Sequence, residues 1–286
     1  MPAMGPRARV LRASGLHAPM ILLAKVLLAP LCVVAVSLAG RRWGTAIAGV
    51  LGGLPVVAGP ILLVITLVHG PSFGADAAAG TLLGLCALAT FVVVYGRVSA
   101  SLGPAASVIC GWTGFLAAVA VLDQIQPPDL IALALAGASF AIGLAMLAAP
   151  AAEPAEIGAF PLWDLPARGL AAMGLVLVLT TASGSLGPNL SGLLAPFPII
   201  TSVLAVFTHA HGGRAQVRVL LRNFLVGFYG FASFCFVLAI GLGRLGSGAA
   251  FLVAIAVAVT VQAAVFALRS RLVARTAAEP ALEHAG

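Results

Sequence analysis

Two short stretches combine residue types that could hold a ligand inside an apolar segment. SGLLAPFP, Ser191–Pro198, carries two prolines and a glycine, and AGVLGGLP, Ala48–Pro55, is followed closely by Pro60. In lipid every backbone N–H and C=O must find a partner within the protein. Proline lacks the N–H and clashes with the preceding turn. Pro55, Pro60, Pro196 and Pro198 are therefore expected to kink or unwind their helices. Gly53 and Gly192 allow close approach there, and Asn189 and Ser191 add polar side chains. These eight residues form the expected substrate-binding set, because interrupted apolar segments at corresponding places in two halves mark transporter sites. The competing reading is a kink that only packs.

A second group carries charge or polarity near the ends of apolar runs: Lys25, His69, Arg168, His209, His211, Arg218 and Arg222. Arg214, Arg218 and Arg222 are four apart and share a helix face. Arg218 and Arg222 could attract an anion towards the second break or anchor lipid headgroups. Lys25 and Arg168, which lie half the chain length apart, are expected to snorkel to the interface, the alternative being a shared role at equivalent places in the two halves. Tyr95, Tyr229 and Trp43 suit interfacial positions.

The sequence holds no P-loop, no HExxH, no GxSxG and no close pair of carboxylates. The four cysteines lie in apolar spans without metal-ligand spacing. No catalytic residue, metal site or cofactor is expected, and the chain reads as no enzyme.

The elements that must position these residues follow from composition. Hydrophobic residues make up 62% of 286, charged residues 8%, and mean hydropathy is +1.15. Soluble domains carry about 25% charged residues, so this surface must face lipid. The expectation is an all-α polytopic membrane protein of about nine transmembrane helices. They fall near 20–39, 45–68, 77–96, 104–122, 129–150, 168–184, 190–209, 219–242 and 247–268. Membrane lipids and a small solute are the expected partners. The charge of +7 serves topology, so nucleic acid is not expected.

Slid along itself by half its length, the chain brings a set of its glycines onto one another without gaps. Gly44, Gly49, Gly70, Gly84 and Gly103 fall on Gly187, Gly192, Gly213, Gly227 and Gly246, and Pro55 falls on Pro198. Chance predicts about one or two glycine pairs over such a length, so a tandem duplication is the simplest account. The expected organisation is a tail and first four-helix repeat in 1–126, a linker helix and loop in 127–160, and a second four-helix repeat and tail in 161–286. An odd number of helices between equivalent elements inverts the second repeat relative to the first.

Ten cations fall on the face of Arg41, Arg97, Arg168 and Arg214, and five on the face of Lys25 and Arg244. The positive-inside rule makes the first face cytoplasmic, with the N-terminus outside and the C-terminus inside.

Within the second repeat, Ser191, Gly192, Leu193, Phe197 and Pro198 are followed by His209, and then by Arg222 with Phe228, Tyr229 and Phe231. This pattern resembles the small four-helix bacterial inner-membrane proteins of the GlpM type. The resemblance covers about a third of the chain. It implies a bacterial cytoplasmic membrane and a duplicated four-helix ancestor. In the first repeat Leu54 stands at the place of Phe197, and no arginine matches Arg222. The functional expectation is a secondary transporter or exporter of a small or amphipathic solute, neutral or anionic. The alternative is a non-transporting accessory, assembly or lipid-organising protein.

Overall fold

The computed structural model describes residues 27–125, 127–147, 163–182, 194 and 196–283. Every element among them is a helix. In chain order they are α1 over 27–43, α2 Thr45–Gly52, α3 Ala58–His69, α4 Pro71–Val98, α5 Pro104–Leu122 and α6 Asp129–Met146. Then follow α7 Asp164–Ala182, α8 Ile199–Leu245 and α9 Ser247–Glu283. α8 is two helical arms joined at Gly213.

Five of these helices are long and apolar enough to cross a membrane: α4, α5, α6, α8 and the Ser247–Leu268 part of α9. Large apolar side chains stand exposed on the outer helices, among them Ile109, Leu116, Leu130, Ile142, Leu252 and Val259. Water would not tolerate that much exposed apolar surface. The chain is an integral membrane protein.

α4 and α8 form the centre. In their most apolar windows 61% and 67% of residues are buried, against 28%, 22% and 17% for α5, α6 and α9. Tyr95 and Phe91 of α4 and Phe224 and Phe228 of α8 are among the largest fully buried side chains. Tyr95, expected at the interface, is instead wholly enclosed, with its hydroxyl 3.4 Å from His209 Nδ1.

Both expected helix breaks are present and share one hydrogen-bond pattern. At the first, Leu54 N–H donates to Leu51 O, Val56 N–H to Leu54 O and Gly59 N–H to Pro55 O. At the second, Phe197 N–H donates to Leu194 O, Ile199 N–H to Phe197 O and Ser202 N–H to Pro198 O. Each bond has its counterpart half a chain length away. The tight turn is centred on Pro55 in one and Pro198 in the other, and Pro198 sits at φ −73°, ψ 55°, the inverse γ-turn geometry. Proline's locked φ favours this turn, and its missing N–H stops the helix passing through.

Each broken helix then ends at a matching glycine. Gly70 has φ 94°, ψ 167°, and Gly213 has φ 71°, ψ −169°. That region is accessible essentially to glycine alone. It lets the chain turn directly from the broken helix into the long central one. The correspondence is not complete: Gly246 has φ 75°, whereas Gly103 has φ −73°.

The first break packs on the second arm of α8 through glycine. A Cβ on Gly53 would lie 2.7 Å from Phe224 O and 2.9 Å from Gly227 Cα. Small residues permit such backbone contact, a recurrent way of joining helices in membranes.

Candidate functional site

The first break opens onto a groove of about 560 Å³. Leu54, Pro55 and Pro60 line it from the break and α3, Phe234 from α8, and Phe251 and Gln262 from α9. Its volume lies within the usual range for small-ligand pockets. Val56, Leu63, Ile255 and Phe266 belong to the same wall and are exposed on the protein's apolar exterior. The groove therefore opens sideways, towards lipid.

Gln262 is the polar exception in that wall. It is 9% exposed, and neither its Oε1 nor its Nε2 has a hydrogen-bond partner. A buried amide without partners loses the hydrogen bonds that water would give it; here both polar atoms are closed off, with Oε1 packed towards Gly230 of α8. Gln262 was not among the sequence candidates. Its signal was available: it is the lone amide in the apolar run 247–268.

The substrate-binding set divides. Pro55 and Pro60 line the groove. Gly53 is in backbone contact with α8 instead. Pro196 and Pro198 are buried at the second break. There Phe197 fills the space, its ring centroid 5.3 Å from Phe115 and 6.0 Å from Trp112. Asn189, Ser191, Gly192 and Lys25 lie outside the described residues.

No family of known proteins matches this chain, and neither a curated protein nor a solved structure matches it. What the site can do rests on its own geometry.

The charged candidates fall into different settings. Arg168 does not snorkel. It is 4% exposed, and its Nε donates to Asp164 Oδ2 at 2.8 Å. Asp164 is fully buried and also accepts from Arg41 Nη2 at 2.6 Å. His211 Nδ1 stands 3.8 Å from Asp164 Oδ1 and contacts Phe207 O at 2.9 Å. The Arg168 guanidinium lies 5.0 Å over the Phe207 ring, a cation–π contact. This cluster ties α1, α7 and the first arm of α8 together at one end of the molecule. The four-residue spacing of Asp164 and Arg168 was legible as a helical ion pair.

Arg222 caps a helix. Its Nη1 donates to Leu144 O, at 2.8 Å, and to Leu147 O. The last carbonyls of any helix lack partners within it, and Arg222, from the middle of α8, supplies one for α6 at Leu144 and another for Leu147, the residue that follows the helix. Arg222→Met keeps the apolar stem and removes these donors. It is expected to cost about 1–3 kcal/mol of stability. Thermal unfolding in detergent, with faster proteolysis just beyond Leu147, checks this. Arg218 is partly buried one turn earlier, and His69 is exposed, stacked 4.8 Å from Phe73.

Proposed function

We propose that this membrane protein is a secondary transporter or exporter. It would move a small or amphipathic solute by alternating access between two four-helix halves of inverted topology. The observation that carries the reading is the pair of like-built breaks: three matching hydrogen bonds and one matching glycine conformation, all separated by half the chain length. Paired interrupted helices are how transporters place a site near the bilayer midplane. The groove beside Pro55 supports a ligand at the first break, and its lining, which includes no charged residue, favours a neutral over an anionic one.

The same proposal places the chain in a bacterial cytoplasmic membrane, with the C-terminus inside and lipids as its neighbours. Arg41 and Arg168 share the carboxylate of Asp164, which agrees with assigning them one membrane face. Phe197, Pro198, His209 and Arg222 continue to support kinship with the GlpM-type proteins. A second reading, an accessory protein that moves nothing, is favoured by the closed contact of Gly53 on Gly227.

Single cysteines at Val56 and at its counterpart Ile199, in a cysteine-free background, separate the two. The protein would be reconstituted in liposomes under imposed proton or sodium gradients and labelled with an impermeant maleimide. Transport predicts reciprocal labelling, each position reacting from one side as the other becomes protected. Protection of both from both sides under every gradient would leave the accessory role.

A further inference from the structure

The groove beside Pro55 has a counterpart that is filled. Applying the same half-length offset to its wall gives Phe197 for Leu54, Ser202 for Gly59, Trp112 for Ile255, Phe115 for Ala258 and Val119 for Gln262. These counterparts also meet in space. Phe197 packs on Trp112 and Phe115, and Trp112 Nε1 donates to Ser202 Oγ at 2.9 Å. Three aromatic rings thus occupy the volume that Leu54, Ile255 and Ala258 leave empty. Where the space is filled, the unpaired amide is replaced by valine.

We infer that, of the two breaks as their described residues pack, the first forms a ligand site and the second does not. The site is the groove of Pro55, Gly59 and Ala258, and it takes from the bilayer a neutral amphiphile whose head draws the Gln262 side chain, which packs against Gly230, round to donate and accept a hydrogen bond. The apolar wall binds the body of the ligand by contact. The amide of Gln262 is satisfied by a hydroxyl or a primary amide, since either supplies a donor and an acceptor together. A carboxylate supplies acceptors alone and would be desolvated without a counter-charge. The lipid-exposed rim at Val56, Leu63 and Phe266 gives the route in. The inference deepens the transporter reading, naming its substrate class, but occupancy is measured without any transport.

Photo-crosslinking tests it. The full chain in nanodiscs of phosphatidylcholine and phosphatidylglycerol is exposed to a long-chain alcohol bearing a diazirine. Parallel samples receive the corresponding carboxylate and the headless hydrocarbon. Crosslinks of the alcohol are expected to concentrate on 54–63 and 251–266, about tenfold above the hydrocarbon, as befits one or two buried hydrogen bonds. Gln262→Leu should lower the alcohol to the hydrocarbon level and leave the hydrocarbon unchanged. Ala258→Phe, which installs the residue found at the matching position, should empty the groove of every probe. Should that variant not fold, Ile255→Trp makes the same substitution one helical turn away. Crosslinks spread evenly over the exposed apolar faces and unaltered by these changes would overturn the site. A carboxylate signal equal to or above that of the alcohol would overturn the neutral head. Reciprocal cysteine labelling can fail while crosslinking succeeds, and that result would keep the site and reject transport.

Discussion

Replacing Gly227 by valine is expected to unfold the centre of this protein. A Cβ at position 227 would stand 2.9 Å from Gly53 Cα and press on the carbonyl of Val50. Both obstacles are backbone, so no rotamer change relieves the overlap. The two helices must separate, and the contacts flanking the crossing, Gly49 against Asn223 and Gly52 against Phe224, are lost with it. Overpacking usually costs about 1–3 kcal/mol, and a rigid backbone crossing belongs at or above the top of that range. Because the first break leans on this crossing, the groove should collapse too. Thermal unfolding in detergent reads the effect. Gly243→Ala is the control, since a Cβ there meets nothing within 4 Å and helix propensity alone favours alanine by roughly 1 kcal/mol. Equal stabilities for the two variants would show that the close crossing does not hold the bundle together.

Removing the carboxylate of Asp164 is the second large perturbation. Asp164→Ala leaves Arg168, itself almost wholly buried, without its paired carboxylate, and Arg41 loses the same partner. Removing one member of a buried ion pair costs about 3–5 kcal/mol, because the remaining charge is desolvated and uncompensated. That is a large fraction of a typical folding free energy. The double variant Asp164→Leu with Arg168→Met should recover much of the loss, since apolar replacement of both partners is often nearly neutral. Arg41, less buried, can turn outward to water. A single variant within about 1 kcal/mol of the parent would exclude a structural role for the pair. Loss of stability in the double variant equal to that in the single would point to Arg41 and His211 as the partners that matter.

Much of the fold was legible because its determinants are local. Proline at 55 and 198 interrupts a helix whatever surrounds it, and the breaks fall where the residue types place them. α4 and α5 cover the apolar runs expected at 77–96 and 104–122, with α4 extended to 71–98 by the Pro71 start after Gly70. The half-length offset anticipated that Gly70 and Gly213 would serve alike. Tyr95 was misplaced, and the helix-capping partners of Arg222 went unforeseen, for the opposite reason. Arg222 meets carbonyls at the end of a helix far back in the chain, and Tyr95 meets a histidine in the other half. Nothing in the spacing around either residue announces such partners.

The sequence by itself determined that this chain lives in a membrane, where its helices break, and that its two halves break alike. Those outcomes follow from apolar run length, from proline's missing donor and from glycine's freedom at positive φ. Only the tertiary structure decided which apolar residues face inward, because lipid and protein interior are equally apolar and hydrophobicity cannot rank them. That choice made one break a groove and the other a plug. Leu54 with Ala258 leaves a space that Phe197 with Phe115 fills, and the difference exists only once residues distant in the chain are brought together by packing.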